Sequence, residues 1–187
     1  MRAFLGIDLD DELRGELAAL CDAIRDATPA WAGEKWVSRD NLHLTLKFLG
    51  ETDSESLPSI RDALAGGLAI HTPFDTTVLA PVEAVPDTRR ARMLWTRYDD
   101  PEGRCALLVK AADDVLVTFG IPPEPRPFVP HVTLVRARRP RRFSCSEAYT
   151  KMPVTPMSVR EVTVFSSILT RSGPVYERWG RIELGVR

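Results

Sequence analysis

The sequence is poor in cysteine and histidine, has no long apolar run, and carries almost no net charge. Each shortage excludes something. The three cysteines, Cys21, Cys105 and Cys145, are scattered, odd in number and form no Cys-x-x-Cys pair. That argues against a disulfide framework and a zinc–thiolate centre, and predicts reduced, mostly buried thiols. No segment approaches the ~20 apolar residues of a membrane-spanning helix. The opening "MRAFLGIDLDDEL" turns acidic where a secretory leader would stay apolar. A cytoplasmic protein with no membrane partner is expected. The formal net charge of −1 excludes a generic polyanion binder. Arginine is nevertheless gathered into two blocks, Arg89–Arg92 and Arg136–Arg142. Such blocks are ordinarily solvated faces, yet a basic patch beside a site attracts phosphorylated ligands.

What is present is ample core material. The chain has 187 residues, 44 % hydrophobic and 27 % charged, enough for one domain or two small lobes. "RAFLGID" reads as a buried strand. Leu13, Leu17, Leu20 and Ile24 follow at helical spacing, with Asp10 or Asp11 as cap. Leu57, Ile60, Leu64 and Leu68 predict a second helix, weakened by Gly66 and Gly67. "FDTTVLA" reads as one strand, and Pro81–Arg92 as a connection between halves. "RMLWTRY" predicts a strand, and Leu108, Ala111, Val115 and Phe119 a helix stopped by Gly120 and Pro122. "REVTVFSSIL" and "YERWGRIEL" read as strands joined by the turn "RSGP". The order strand, helix, loop, strand thus occurs twice. The expectation is an α+β protein of two related lobes, approximately residues 1–88 and 89–187, with the termini free to cross between them. Each lobe has a mainly antiparallel sheet with outer helices, and a cleft lies between.

Two of the three histidines sit in a repeated setting: His43-Leu44-Thr45-Leu46 and His131-Val132-Thr133-Leu134. Strand alternation puts Leu42, Leu44 and Leu46 on one face and His43 with Thr45 on the other. His131 and Thr133 likewise oppose Val132 and Leu134. Each strand buries an aliphatic row and presents an imidazole beside a hydroxyl. Two imidazoles facing one cleft suit acid–base chemistry near neutral pH, one neutral and one protonated. The threonine hydroxyls suit anionic oxygens, and the set suits in-line transfer at phosphorus. No metal is required: zinc catalysis usually takes three protein ligands, and no acidic residue is in phase on either strand. His71, followed directly by Thr72, reads as a structural residue at a helix end. Lys47 is in phase with His43 and Thr45 and is a candidate cleft residue.

These motifs resemble those of the 2H phosphoesterase superfamily, in particular the RNA 2′,3′-cyclic phosphodiesterases, also described as 2′-5′ RNA ligases. The likeness covers nearly the whole chain, through "MRAFLGIDL", "NLHLTLKFLGE", "FVPHVTLVRAR" and "VTVFSSILTRSGPVYERWGRIEL". The resemblance implies metal-independent, cofactor-free opening of a ribose 2′,3′-cyclic phosphate to a 2′-phosphate, with reverse ligation as a companion activity. It implies that His43 is the general acid and His131 the general base, and that Thr45 and Thr133 hold phosphate oxygens. The residues themselves support the pair without assigning the two roles. Arg136 matches the family's phosphate-contacting arginine. Simple alternation turns it away from His131 and Thr133; a bulge, or the strand ending there, would resolve the conflict. The implied partner is RNA with a cyclic phosphate end, handled by a monomer without an obligate protein partner. Two alternatives are a phosphodiesterase for a small cyclic nucleotide or ADP-ribose cyclic phosphate, and a non-catalytic RNA-end binding module. An RNA enzyme should have basic and aromatic residues at the rim; the arginine blocks, Trp31 and Trp36 are the candidates.

Overall fold

Strand β1 (Arg2–Asp8) is apolar on both faces because it lies inside a sheet, between β3 (His43–Glu51) and β9 (Glu161–Thr170). The computed structural model describes residues 1–144, 146, 149, 154–170 and 173–185. Beyond β9 comes β10 (Gly173–Glu183). Beyond β3 come β7 (His131–Arg141), β6 (Ala91–Tyr98) and β5 (Val78–Val85). The short β2 (Lys35–Trp36) pairs with β7. All of these pairings are antiparallel. The fold is α+β, and its two halves meet where β3 and β7 adjoin, with Leu44 opposite Val132.

Residues 88 and 89, the expected midpoint, lie between β5 and β6, and both strands sit on the β7 side. The stretch Pro81–Arg92 is therefore not a connection between halves but most of a hairpin. The C-terminal strands β9 and β10 return to β1. "FDTTVLA" is also divided. β4 (Phe74–Thr76) pairs with β8 (Met157–Val159) in a separate two-stranded sheet. The break at Thr77 is pinned by Asp99, whose Oδ1 accepts from Thr76 Oγ1 at 2.8 Å and from Thr77 N at 2.9 Å.

Helix α1 (Asp11–Ala27) begins as its sequence dictates: Asp10 Oδ1 accepts from Leu13 N at 2.8 Å. It buries Leu13, Leu17, Leu20 and Ile24; each fully buried leucine contributes about 2 kcal/mol. The one-turn α2 (Pro29–Ala32) follows, and α3 (Leu57–Leu68) buries the four expected residues. Helix α4 (Arg104–Leu116) is rolled relative to expectation. It buries Cys105, Leu108, Val109, Ala112 and Leu116, whereas Phe119 is exposed in a 3-10 turn. Val115 faces α3 instead of the sheet, because Gly67 leaves room there: a Cβ on Gly67 would stand 2.6 Å from Val115 Cγ2. Gly67 thus serves a close helix contact. Helix α4 packs on β3, α1 on β7 and α3 on β10. Burial pushes the Cys21 and Cys105 thiols up to about 12, so neither is a nucleophile. Cys145 and the turn residues Arg171 and Ser172 lie outside the described residues. Among the described residues no helix is long and apolar enough to cross a membrane.

Candidate active site

The two His-x-Thr strands are built alike. In β3, Leu44 and Leu46 are buried while His43 and Thr45 are half-buried; in β7, Val132 and Leu134 are buried while His131 and Thr133 are half-buried. Both strands then carry one extra residue. Gly6 pairs with Thr45 but Leu5 with Lys47, which leaves Leu46 over; Trp95 pairs with Thr133 but Leu94 with Val135, which leaves Leu134 over. Each register shift reverses the alternation beyond it. Arg136 is thereby returned to the cleft face, and Lys47 is removed from it.

That removal is a correction to the expectation for Lys47. Its side chain is 4 % exposed, donates from Nζ to Pro122 O at 2.6 Å, and pairs with Asp113 of α4 at 2.7 Å. Phe48 takes the outward position and is 65 % exposed. Arg136 donates from Nη1 to Met93 Sδ at 3.1 Å and from Nη2 to Thr133 Oγ1 at 3.4 Å. Among the described residues it has no carboxylate partner, so its charge is available to an anion.

Each imidazole is oriented by a carbonyl two residues upstream. His43 Nδ1 lies 2.7 Å from Asn41 O, and His131 Nδ1 lies 2.7 Å from Val129 O. A carbonyl only accepts, so both Nδ1 atoms carry hydrogen, and Nε2 is the atom that gains or loses a proton. His43 Nε2 is 2.9 Å from Thr45 Oγ1, which donates to it in the neutral form. Burial holds the His43 imidazole down at about 4, against its hydrogen bond to Asn41 and the Asp8 charge, which raise it. Aromatic rings supply that burial: Phe4 at 4.7 Å and Tyr176, edge-on, at 5.2 Å. The His131 imidazole is also lowered, first by burial and further by Arg136. Its neighbour is Trp95, with ring centroids 4.1 Å apart. With both imidazoles held below 6.5, the neutral form of each predominates at pH 7.

His43, Thr45, His131, Thr133 and Arg136 line one cavity of about 290 Å³. Sequence reasoning missed its other walls: Phe4 and Arg2 on β1, Phe48 on β3, Ser167 on β9 and Tyr176 on β10. Phe4 and Tyr176 carried no signal beyond their place in apolar, alternating strands. Trp31 and Trp36, expected at the rim, are elsewhere. Trp31 is buried, donating from Nε1 to Arg142 O at 2.9 Å, and Trp36 opposes Val135 on the helix side, under Arg25. His71 is not among the lining residues. Among the described residues no three His, Cys, Asp or Glu side chains gather as a metal-binding set.

Two His-x-Thr strands thus meet at the seam of an antiparallel sheet, the arrangement that the resemblance to the two-histidine phosphoesterases implies. The chain matches the model of the family described as LigT like Phosphoesterase over residues 7–95 and 99–176, and it belongs to that family. It is 33 % identical over 180 residues to the RNA 2′,3′-cyclic phosphodiesterase of Methanothermobacter thermautotrophicus, spanning 94 % of this chain and 95 % of that protein. It is 32 % identical over 186 residues to the Escherichia coli protein of the same name, spanning 95 % of each. Among solved structures it is similar to E. coli LigT complexed with 3′-AMP, with a TM-score of 0.76 and 26 % identity over 98 % of this chain and 97 % of that one. A Thermus thermophilus structure gives a TM-score of 0.75 at 25 % identity, over 99 % and 98 %.

Proposed function

We propose that this phosphoesterase opens the 2′,3′-cyclic phosphate at an RNA end to a 2′-phosphate, without a metal, through His43 and His131. The observation that carries the reading is the gathering of two Nε2-active imidazoles, two threonine hydroxyls and one unpaired guanidinium around a single cavity. His131 Nε2 takes a proton from water, and the oxygen attacks phosphorus. The bond from phosphorus to O3′ breaks, and His43 Nε2 delivers its proton to O3′. Thr45, Thr133 and Arg136 hold the non-bridging oxygens as charge builds there. The two histidines end with their protonation exchanged and reset through solvent. With the 5′-hydroxyl of a second strand in place of water, the same sequence joins that oxygen to phosphorus, releases O3′ and forms a 2′-5′ linkage, which is the ligase activity.

The acid role needs a proton that His43 lacks at rest. The phosphodiester anion supplies the condition for it: a negative charge beside an imidazole favours the protonated form. The effect is strongest where water is excluded, and that is at His43, among Phe4, Phe165 and Tyr176. Substrate thus creates its own acid. The whole chain acts as one domain, since the cavity takes residues from both halves of the sheet, and no second copy is needed to complete it. A small cyclic nucleotide carries the same reacting group, so the same machinery would open it.

The test is turnover of a 2′,3′-cyclic nucleotide and of a cyclic-phosphate-ended RNA in EDTA, with the product isomer identified. Expected is a 2′-phosphate at undiminished rate. Loss of activity in EDTA would overturn the metal-free step, and full activity of His43→Ala or His131→Ala would overturn the pair. Tight binding without turnover would instead identify a binding module.

A further inference from the structure

Lys35, Arg136 and Arg138 share one face of the β2–β7 ribbon, and that face opens into the cleft. Lys35 stands opposite Arg136 in register, and directly opposed residues of an antiparallel pair project to the same side. Val37, two residues beyond Lys35, lines the cavity together with Arg136, which identifies the side. Arg138 is two residues beyond Arg136, with Ala137 between them packed toward the core. It therefore projects from the same side as Arg136, just outside the cavity lining, about 7 Å along the strand where β7 leaves the register of β6. That is on the scale of one phosphate-to-phosphate step in an extended nucleotide chain.

All three cations are exposed. Among the described residues none of their charged groups has a carboxylate partner. The neighbouring carboxylate, Glu34, is already occupied: it pairs with Arg141 and accepts from Arg138 N at 2.7 Å. Beyond Arg138 the positive field continues. Ala91 opposes Arg141, which brings Arg89 of the β5–β6 turn and Arg92 at the start of β6 beside the end of β7, near Arg139 and Arg142. These four are likewise exposed and without carboxylate partners among the described residues. In a chain of net charge −1, this is a local excess of cation that starts at the unpaired guanidinium of the cleft.

We infer that this ledge carries the backbone of a single-stranded RNA whose cyclic-phosphate end lies between His43 and His131, with Lys35 and Arg138 holding the phosphates just upstream of that end. The inference rests on the reaction proposed above and adds the path of the RNA behind its reactive end, with Lys35 and Arg138 as the residues that favour a polymer end over a free mononucleotide. The strand is single at its end because a terminal nucleotide must leave any duplex to enter the cavity between His43 and His131.

The experiment compares a mononucleoside 2′,3′-cyclic phosphate with a short oligoribonucleotide ending in the same group. Both are given to the wild type and to the double variant Lys35→Gln/Arg138→Gln, between about 50 and 200 mM salt. The wild type is expected to favour the oligonucleotide through KM. The double variant loses that preference, keeps kcat, and keeps its mononucleotide kinetics, which also shows that it is folded. Two phosphate contacts fewer make the fall in oligonucleotide kcat/KM across that salt range about sevenfold shallower. An unchanged oligonucleotide KM and salt dependence would overturn the ledge, as would an equal loss on both substrates. If the wild type turns over neither substrate, the proposed reaction fails, and the ledge is read by fluorescence anisotropy with a 2′-phosphate-ended oligoribonucleotide. Weaker, less salt-dependent binding by the variant supports the ledge; equal binding overturns it.

Discussion

The strands β3 and β7 follow one six-position script with different endings. Both place an imidazole first, a hydroxyl third and a leftover residue fourth, and both pin Nδ1 to a carbonyl two residues upstream. They part at the fifth and sixth positions. β3 has Lys47 turned inward onto α4 and Phe48 outward; β7 has Val135 inward and Arg136 outward. The ring environments differ as well, three aromatics around His43 and Trp95 beside His131. A duplicated backbone therefore fixes where the groups stand, while unlike neighbours decide what each can do. The β7 side offers fixed positive charge; the β3 side offers a dry, aromatic wall.

The comparison is broken most severely by removing either shared element. His43→Ala and His131→Ala are each expected to lower kcat by roughly 10²- to 10⁴-fold, measured with a cyclic mononucleotide. Equal, non-additive losses in the double variant would show that the pair works as a unit. Making the sixth positions alike is the next largest change. Arg136→Phe copies the β3 ending onto β7 and should reduce kcat/KM about 100-fold, whereas Phe48→Ala should act mainly on KM. The fifth position concerns stability rather than rate. Lys47→Ala strands Asp113 beside the core and should cost about 3 kcal/mol in denaturant unfolding. Lys47→Met/Asp113→Leu should recover much of that loss.

The smallest and most diagnostic effect is on pH. Both imidazoles are held below 6.5 in the free protein, so the singly protonated pair that reacts is lost as pH rises through their lowered values. The profile of kcat/KM, which reports the free enzyme, should therefore be centred below pH 6.5. The kcat profile should be displaced upward, because the bound anion raises both groups. Asp8→Asn should move the free-enzyme profile further toward acid, since the Asp8 charge favours protonated His43. Coincident profiles for kcat and kcat/KM would show that substrate does not supply the condition for the acid.

Legibility in the sequence divided along the same lines. Periodicity marked β1, α1, α3 and the alternation of both motif strands, because local spacing decides those. Set against the arginine that the resemblance implies, alternation called for a bulge or a strand end at Arg136, and the register shows the bulge. The same shift in β3 left no trace in "HLTLKF", so Lys47 was expected in the cleft; a leftover residue is a property of pairing, which only the neighbouring strand reveals. The roll of α4 depended on Gly67 in another helix. Trp31 and Trp36 were expected at the rim for their chemistry, yet the register of β2 on β7 turns Trp36 away. Tyr176 belongs to a hairpin that local sequence marks, but it reaches the cleft because β9 of that hairpin pairs with β1, a long-range pairing with no local signal.

The position of β9 has a consequence for biosynthesis. It lies between β1 and β10, so the first strand made has one edge open until residues 161–170 are available. Tyr176 and Ser167, two walls of the cavity, come from that same late hairpin. The aromatic wall around His43 therefore assembles only after that hairpin has been synthesised and has docked on β1, later than the two histidine strands themselves.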